Sequence, residues 1–137
     1  MNKYDELSGT FVLVHPNLLT DPKEKKSQIG IIASAELEND NVVVSFGKDG
    51  QALFSADALL VLKKPGSIHF DTMQDHAKMN VQDFQNLLRV STLADSSLTK
   101  DHRQAIEISR DNPAVLEYSM ASLEEELGLK QDHSLNR

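Results

Sequence analysis

The sequence contains no cysteine and no tryptophan, and only 5% of its residues are aromatic. Without thiols, disulfide frameworks, thiolate zinc sites, iron–sulfur clusters and cysteine nucleophiles are excluded. Without Trp, and with few Phe and Tyr, the flat π faces that grip polyproline or cage a quaternary ammonium are scarce. Long hydrophobic runs are missing too. The longest, Ala58 to Leu62, is far too short to span a bilayer, and Met1 to Glu6 hold no apolar signal core. Basic residues are outnumbered 14 to 21, a net charge of -7 over 137 residues. Such a balance argues against phosphate backbone or anionic lipid as a ligand. The expectation is a cytoplasmic protein with no membrane segment and no cofactor, long enough to fold around its own core without a staple.

Two halves differ in grammar. Five of the six glycines precede residue 67, and all four arginines follow it. Residues 1–70 carry nine acids against seven bases, net -2, and residues 71–137 carry twelve against seven, net -5. The first half reads as short strands: Gly9 to His15, Gln28 to Ala33, Asn41 to Phe46, Gln51 to Phe54 and Leu60 to Lys63. Gly47-Lys48-Asp49-Gly50 makes a tight connection between the third and fourth. Ser55 is placed to cap a single helical turn before the last strand. Val42, Val44 and Phe46 share one face by alternation. Phe11 to Val14 and Ile29 to Ile32 are apolar on both faces, so both must be covered.

The second half reads as helical. Asn80 caps a helix through Leu93, Thr99 a shorter one through Arg110, and Asn112-Pro113 a third that Gly128 stops. On the third, Leu116, Met120, Leu123 and Leu127 fall within about 60° of arc at about 100° per residue, a seam for core packing or for a homodimer. Glu124, Glu125 and Glu126 then occupy its last turn, where the macrodipole opposes them. A basic partner surface would relieve that conflict. Tyr118 lies opposite the seam.

The strand rhythm carries a resemblance. G-x-I at Gly30 and Ile32, V-x-F at Val44 and Phe46 followed by Gly47 and Gly50, and A-D-A-L-x-V-L over Ala56 to Leu62 together resemble a small Src-homology-3-like barrel of the KOW or Tudor type. The implied fold class is α+β: a barrel over residues 8–64, a linker 65–79, a helical region 80–129 packed against the barrel, and a tail 130–137. No resemblance covers residues 71–137. KOW-type barrels that sit on RNA need protruding basic loops, and Lys23, Lys25 and Lys26 form the basic cluster here, interrupted by Glu24.

Catalytic signals are few. His69, Asp71 and His76 bring imidazoles and a carboxylate into a short window, and on an extended strand His69 and Asp71 would point the same way. Their spacing matches no closed zinc pattern. Asp75-His76, Asp101-His102 and Asp132-His133 are sequence neighbours, which diverge on a helix and form no oriented dyad. No serine sits in G-x-S-x-G, and no glycine-rich loop has the phosphate-binding spacing. The leading expectation is a non-enzymatic interaction or regulatory protein that meets a protein partner through the barrel edge and an acidic helical surface, Tyr118 with Glu124, Glu125 and Glu126. The alternatives are a nucleic-acid or ribosome-associated module using Lys23, Lys25, Lys26, Lys63 and Lys64, and a metal-dependent enzyme built on His69, Asp71 and His76.

Overall fold

The computed structural model describes residues 7–16, 25 and 27–127. The expected tail 130–137, Gly128, Asp132, His133 and the lysines Lys23 and Lys26 lie outside the described residues. The protein is of mixed α+β class. Its chain divides into a sheet unit, which ends at Val61 and resumes at Ser122, and a helical unit, Leu62 to Ala121.

The strands are β1 (Phe11–Val14), β2 (Ile29–Glu36), β3 (Asn41–Ser45), β4 (Gln51–Phe54), β5 (Leu59–Leu62) and β6 (Met120–Ser122), in the spatial order β4-β3-β2-β1-β5-β6. The sheet is antiparallel and open, with β4 and β6 at its edges, so it does not close into the expected barrel. Val12 and Val14, Ile32, Val42 and Val44, Ala52 and Phe54, Leu59 and Val61 form the core of the sheet unit. Those residues follow the period of two that puts alternate side chains on one face. Leu13, Ile29 and Leu60 on the opposite face are buried as well, in keeping with strands that are apolar on both sides. β2 is bulged between Ile32 and Ser34, which shifts its register against β3.

Two local features hold this sheet. Gly30, in β2, lies tight against the end of β3. A Cβ there would collide with Val44 Cγ1 and sit 2.9 Å from both Phe46 Cε1 and the Ser45 carbonyl oxygen. The one-turn helix Ala56–Ala58 is present, but Ser55 does not cap it through its side chain. Asp40 does that work: its carboxylate accepts from the Ala56 N–H at 2.8 Å, while Ser55 Oγ donates to Asp57. Asp40 reaches this position from the β2–β3 connection with φ of 56°, a left-handed conformation that Asp tolerates better than most residues.

The helical unit contains α1 (Pro65–Asp75), α2 (Val81–Ala94), α3 (Thr99–Arg110) and α4 (Pro113–Ser119). Ile68, Leu87, Val90, Ala105 and Val115 make its core. Segment 65–79 is therefore not a linker. Pro65 sits at the first helical position, where its missing N–H costs nothing, and Ile68 and Thr72, one turn apart, are buried. Asn80 caps α2 by accepting from the Asp83 N–H at 2.7 Å. Val81, in the first turn of α2, is 72% exposed.

The third expected helix is corrected most. It ends at Ser119, becomes β6, and restarts as α5 (Leu123–Glu126). The Ser119 carbonyl accepts from the Lys63 N–H at 2.9 Å rather than from a continuing helix. Ser122 then opens α5 as its N-cap: its Oγ accepts from the Glu125 N–H at 3.1 Å and donates to Glu125 Oε1 at 3.2 Å. Leu116, Met120, Leu123 and Leu127 consequently share no helix, and the homodimer seam is lost. Met120 is a strand residue, and Leu123 belongs to the sheet core.

Gly30→Ala is expected to destabilise the fold by about 1–3 kcal/mol, the cost of forcing an extra carbon into a packed core. Urea unfolding followed by circular dichroism measures it, and an unchanged midpoint would show that β3 yields at this position.

Candidate functional site

The metal candidates separate once residues 65–75 are helical. His69 and Asp71, two apart, diverge by about 200° around α1, and His76 lies about 10 Å further along the axis. Among the described residues no group of three His, Asp or Glu side chains is placed to hold an ion. His69 instead lines an open groove of about 370 Å³ with Pro65, Gly66, Ser91, Thr92 and Asp95. Ser91 Oγ and Thr92 Oγ1 both donate to the Leu88 carbonyl, at 2.9 and 3.0 Å. His76 Nδ1 is 2.9 Å from the Met73 carbonyl oxygen, which only accepts, so Nδ1 carries the proton. Its ring tilts against Phe84 at 6.1 Å.

Asp101 and His102 do converge, but on a loop. Ser96 Oγ donates to Asp101 at 2.6 Å and accepts from the Leu98 N–H at 3.1 Å, while His102 Nε2 is 2.6 Å from the Ser96 carbonyl. This arrangement fixes the entry to α3.

The partner-surface residues are divided between units. Tyr118 belongs to the helical unit, half-buried, with its hydroxyl donating to Asp75 Oδ2 at 2.9 Å. Lys78 Nζ lies 3.8 Å from the other oxygen of the same carboxylate. Tyr118 is thus a bracket between α4 and α1. Glu124, Glu125 and Glu126 belong to the sheet unit, where they form the first turn of α5, not the last turn of a longer helix. Carboxylates are favoured at that end, so the expected conflict with the macrodipole disappears. α5 packs against the turn Ala56–Ala58, with exposed Asp57 between Ala56 and Ala58.

The surface that sequence reading missed is β4. Its burial alternates, with Ala52 and Phe54 inside and Gln51 and Leu53 outside, and Leu53 is 60% exposed. Register puts Leu53 opposite Val43, Gln51 opposite Ser45, Ser45 opposite Ile31, and Ile31 opposite Phe11. Leu53, Val43, Ile31 and Phe11 therefore share the outer face, and Ile31 is 38% exposed. The signal was the apolar outward residue in Gln51-Ala52-Leu53-Phe54, which has meaning only once β4 is known to be an edge.

Of the lysines, Lys25 Nζ stands 5.1 Å from the centroid of the Phe46 ring, a cation–π contact within the sheet unit. Lys63 and Lys64 belong to the helical unit, half-buried and exposed respectively.

Hydrogen bonding to Asp75, followed by desolvation and the Asp75 charge, raises the Tyr118 phenol above its ordinary 10.0. A raised pKa means that the bond's contribution to stability is complete below about pH 10 and is lost as pH rises through the folded value. In a Tyr4→Phe background, absorbance titration should show the remaining phenol shifting down when Asp75→Ala is introduced. An unmoved titration would mean that Asp75 does not hold this hydroxyl.

Comparison of the chain with protein-family models, with curated proteins and with solved structures finds no match.

Proposed function

We propose that this chain is a non-enzymatic interaction or regulatory protein, working in the cytoplasm, that binds a protein partner through the edge of its sheet and the acidic surface formed by α5 and the turn before β5. The observation that carries the reading is Leu53, a large apolar side chain held in the open on an edge strand. Scattered surface leucines need no explanation. Leu53 differs because Val43 and Ile31 continue the same face beneath it and, among the described residues, β4 has a strand on one side only. Glu124, Glu125 and Glu126, with Asp57 on the adjoining turn, add charge that selects among partners more than it adds affinity.

We also propose that the sheet unit is a small Src-homology-3-like fold. The order β4-β3-β2-β1-β5 and the one-turn helix between β4 and β5 support that likeness, at the level of topology alone. Among the described residues no helix is long and apolar enough to cross a membrane.

Affinity isolation from the native cell tests the function, with the unaltered chain compared with Leu53→Lys and with a Glu124→Lys, Glu125→Lys, Glu126→Lys variant. A protein that copurifies with the unaltered chain should fall at least about tenfold with either variant. Equal recovery across all three would overturn the reading.

A further inference from the structure

We infer that β4 binds its partner by strand addition: an extended segment pairs along Gln51–Phe54, places an apolar side chain over Leu53, and carries lysine or arginine at the end that reaches Asp57 and α5. This rests on the protein-binding reading above and specifies what that partner presents.

Backbone chemistry sets the mode. β4 pairs with β3 along one side, from Ser45 opposite Gln51 to Val42 opposite Phe54. Alternate residues of such an edge turn their N–H and C=O groups away from the sheet. Proteins blunt exposed edges with lysine, proline or a bulge. Gln51-Ala52-Leu53-Phe54 has no charge and no proline, and the bulge of this sheet lies in β2. An incoming strand sets its side chains about 5 Å from those of β4, alternating in the same way. On the outer face its apolar residue meets Leu53.

Charge chooses the occupant. Before β4, Lys48 and Asp49 offset each other within one turn. After β4 come Asp57 and, packed on its turn, Glu124, Glu125 and Glu126. The edge therefore runs from a neutral end to an acidic one. A second copy of this chain would bring the same acidic end and a net charge of -7 toward its twin, and like charges in juxtaposition count against that pairing. A basic, apolar-alternating segment of another protein meets both features.

The test uses the full chain and two synthetic eight-residue probes of alternating threonine and valine, one ending in two lysines and the other beginning with them, since the incoming strand can run in either direction. Binding of one probe should perturb the backbone amides of Gln51 to Phe54 in nuclear magnetic resonance titrations. Replacing its lysines by glutamates should weaken it at least about tenfold, as should Leu53→Lys, and Leu53→Thr should weaken it less. Affinity should fall as salt rises from about 50 to about 300 mM. Perturbation away from β4, or equal binding by the glutamate probe, would overturn the inference. So would perturbation of the same amides by the chain's own self-association, since the occupant would then be a second copy. If neither probe binds while a native protein is still lost with Leu53→Lys, strand addition is wrong and the protein-binding reading survives. If Leu53→Lys loses no native protein but the lysine probe binds β4, the inference holds as chemistry and the proposed function fails.

Discussion

The hydrogen bond from the Lys63 N–H to the Ser119 carbonyl governs how this chain is divided. It joins the two ends of the helical unit, one residue after β5 and one before β6. The carbonyl it occupies is the one that a continuing helix would have offered to Leu123. With that acceptor taken, Met120 turns extended at φ of -130°, and the helix stops. Ser119 reinforces the stop from inside. Its hydroxyl lies 2.8 Å from the Val115 carbonyl and 2.7 Å from Ser109 Oγ, which is itself 2.9 Å from the Ala105 carbonyl. A buried hydroxyl without partners would cost about 1–3 kcal/mol, so this cluster fixes α3 and α4 together at the point of exit.

The placement of Glu124, Glu125 and Glu126 follows from that stop. Had the helix run on, three glutamates would have crowded its negative end. Because it restarts at Ser122, the same three residues sit at the positive end of a new turn, with Glu125 bonded to the capping hydroxyl. Leu123, one residue earlier, enters the sheet core and anchors the turn. Leu123 is what makes the charges a fixed feature of the sheet unit. An apolar residue buried between a cap and a run of carboxylates forces the carboxylates outward, beside the turn that carries Asp57.

Legibility in the sequence tracks the range of the interaction involved. Val42 and Val44 alternate, Gly47 and Gly50 take positive φ, and Asn80 precedes its helix, so the third strand, its hairpin and the start of α2 are readable from neighbours alone. The cap on the turn Ala56–Ala58 is not, because Asp40 supplies it from sixteen residues away. Pro65-Gly66 reads as a terminator, although proline at a first helical position is equally a start, as Pro113 shows. The seam of Leu116, Met120, Leu123 and Leu127 has helical spacing by coincidence. The competing local signal, Ser122 three residues before Glu125, is present in the same stretch, and a tertiary hydrogen bond decides between them. His69, Asp71 and His76 fail as a cluster for the same reason: their grouping assumed an extended chain. Leu53 is the subtler case, since an outward leucine means little until the strand order makes β4 an edge.

The edge also bounds how strongly it can hold a partner. Four residues span about 13 Å, and alternation leaves only about two of them with backbone groups turned outward. At a net of about 1 kcal/mol per hydrogen bond, with a further 1–2 kcal/mol or so from covering Leu53, the gross gain is a few kcal/mol. Ordering an extended segment offsets much of it. An edge this short does not by itself make a tight complex. In the proposed complex the acidic end would then set selectivity and encounter rate, drawing a basic segment to a site where pairing alone is too weak to distinguish partners. A partner held in the proposed way would exchange quickly, which suits a regulatory contact better than a permanent subunit. Tight association would require the partner to cover Ile31 and Val43 as well, extending from the edge onto the outer face of the sheet.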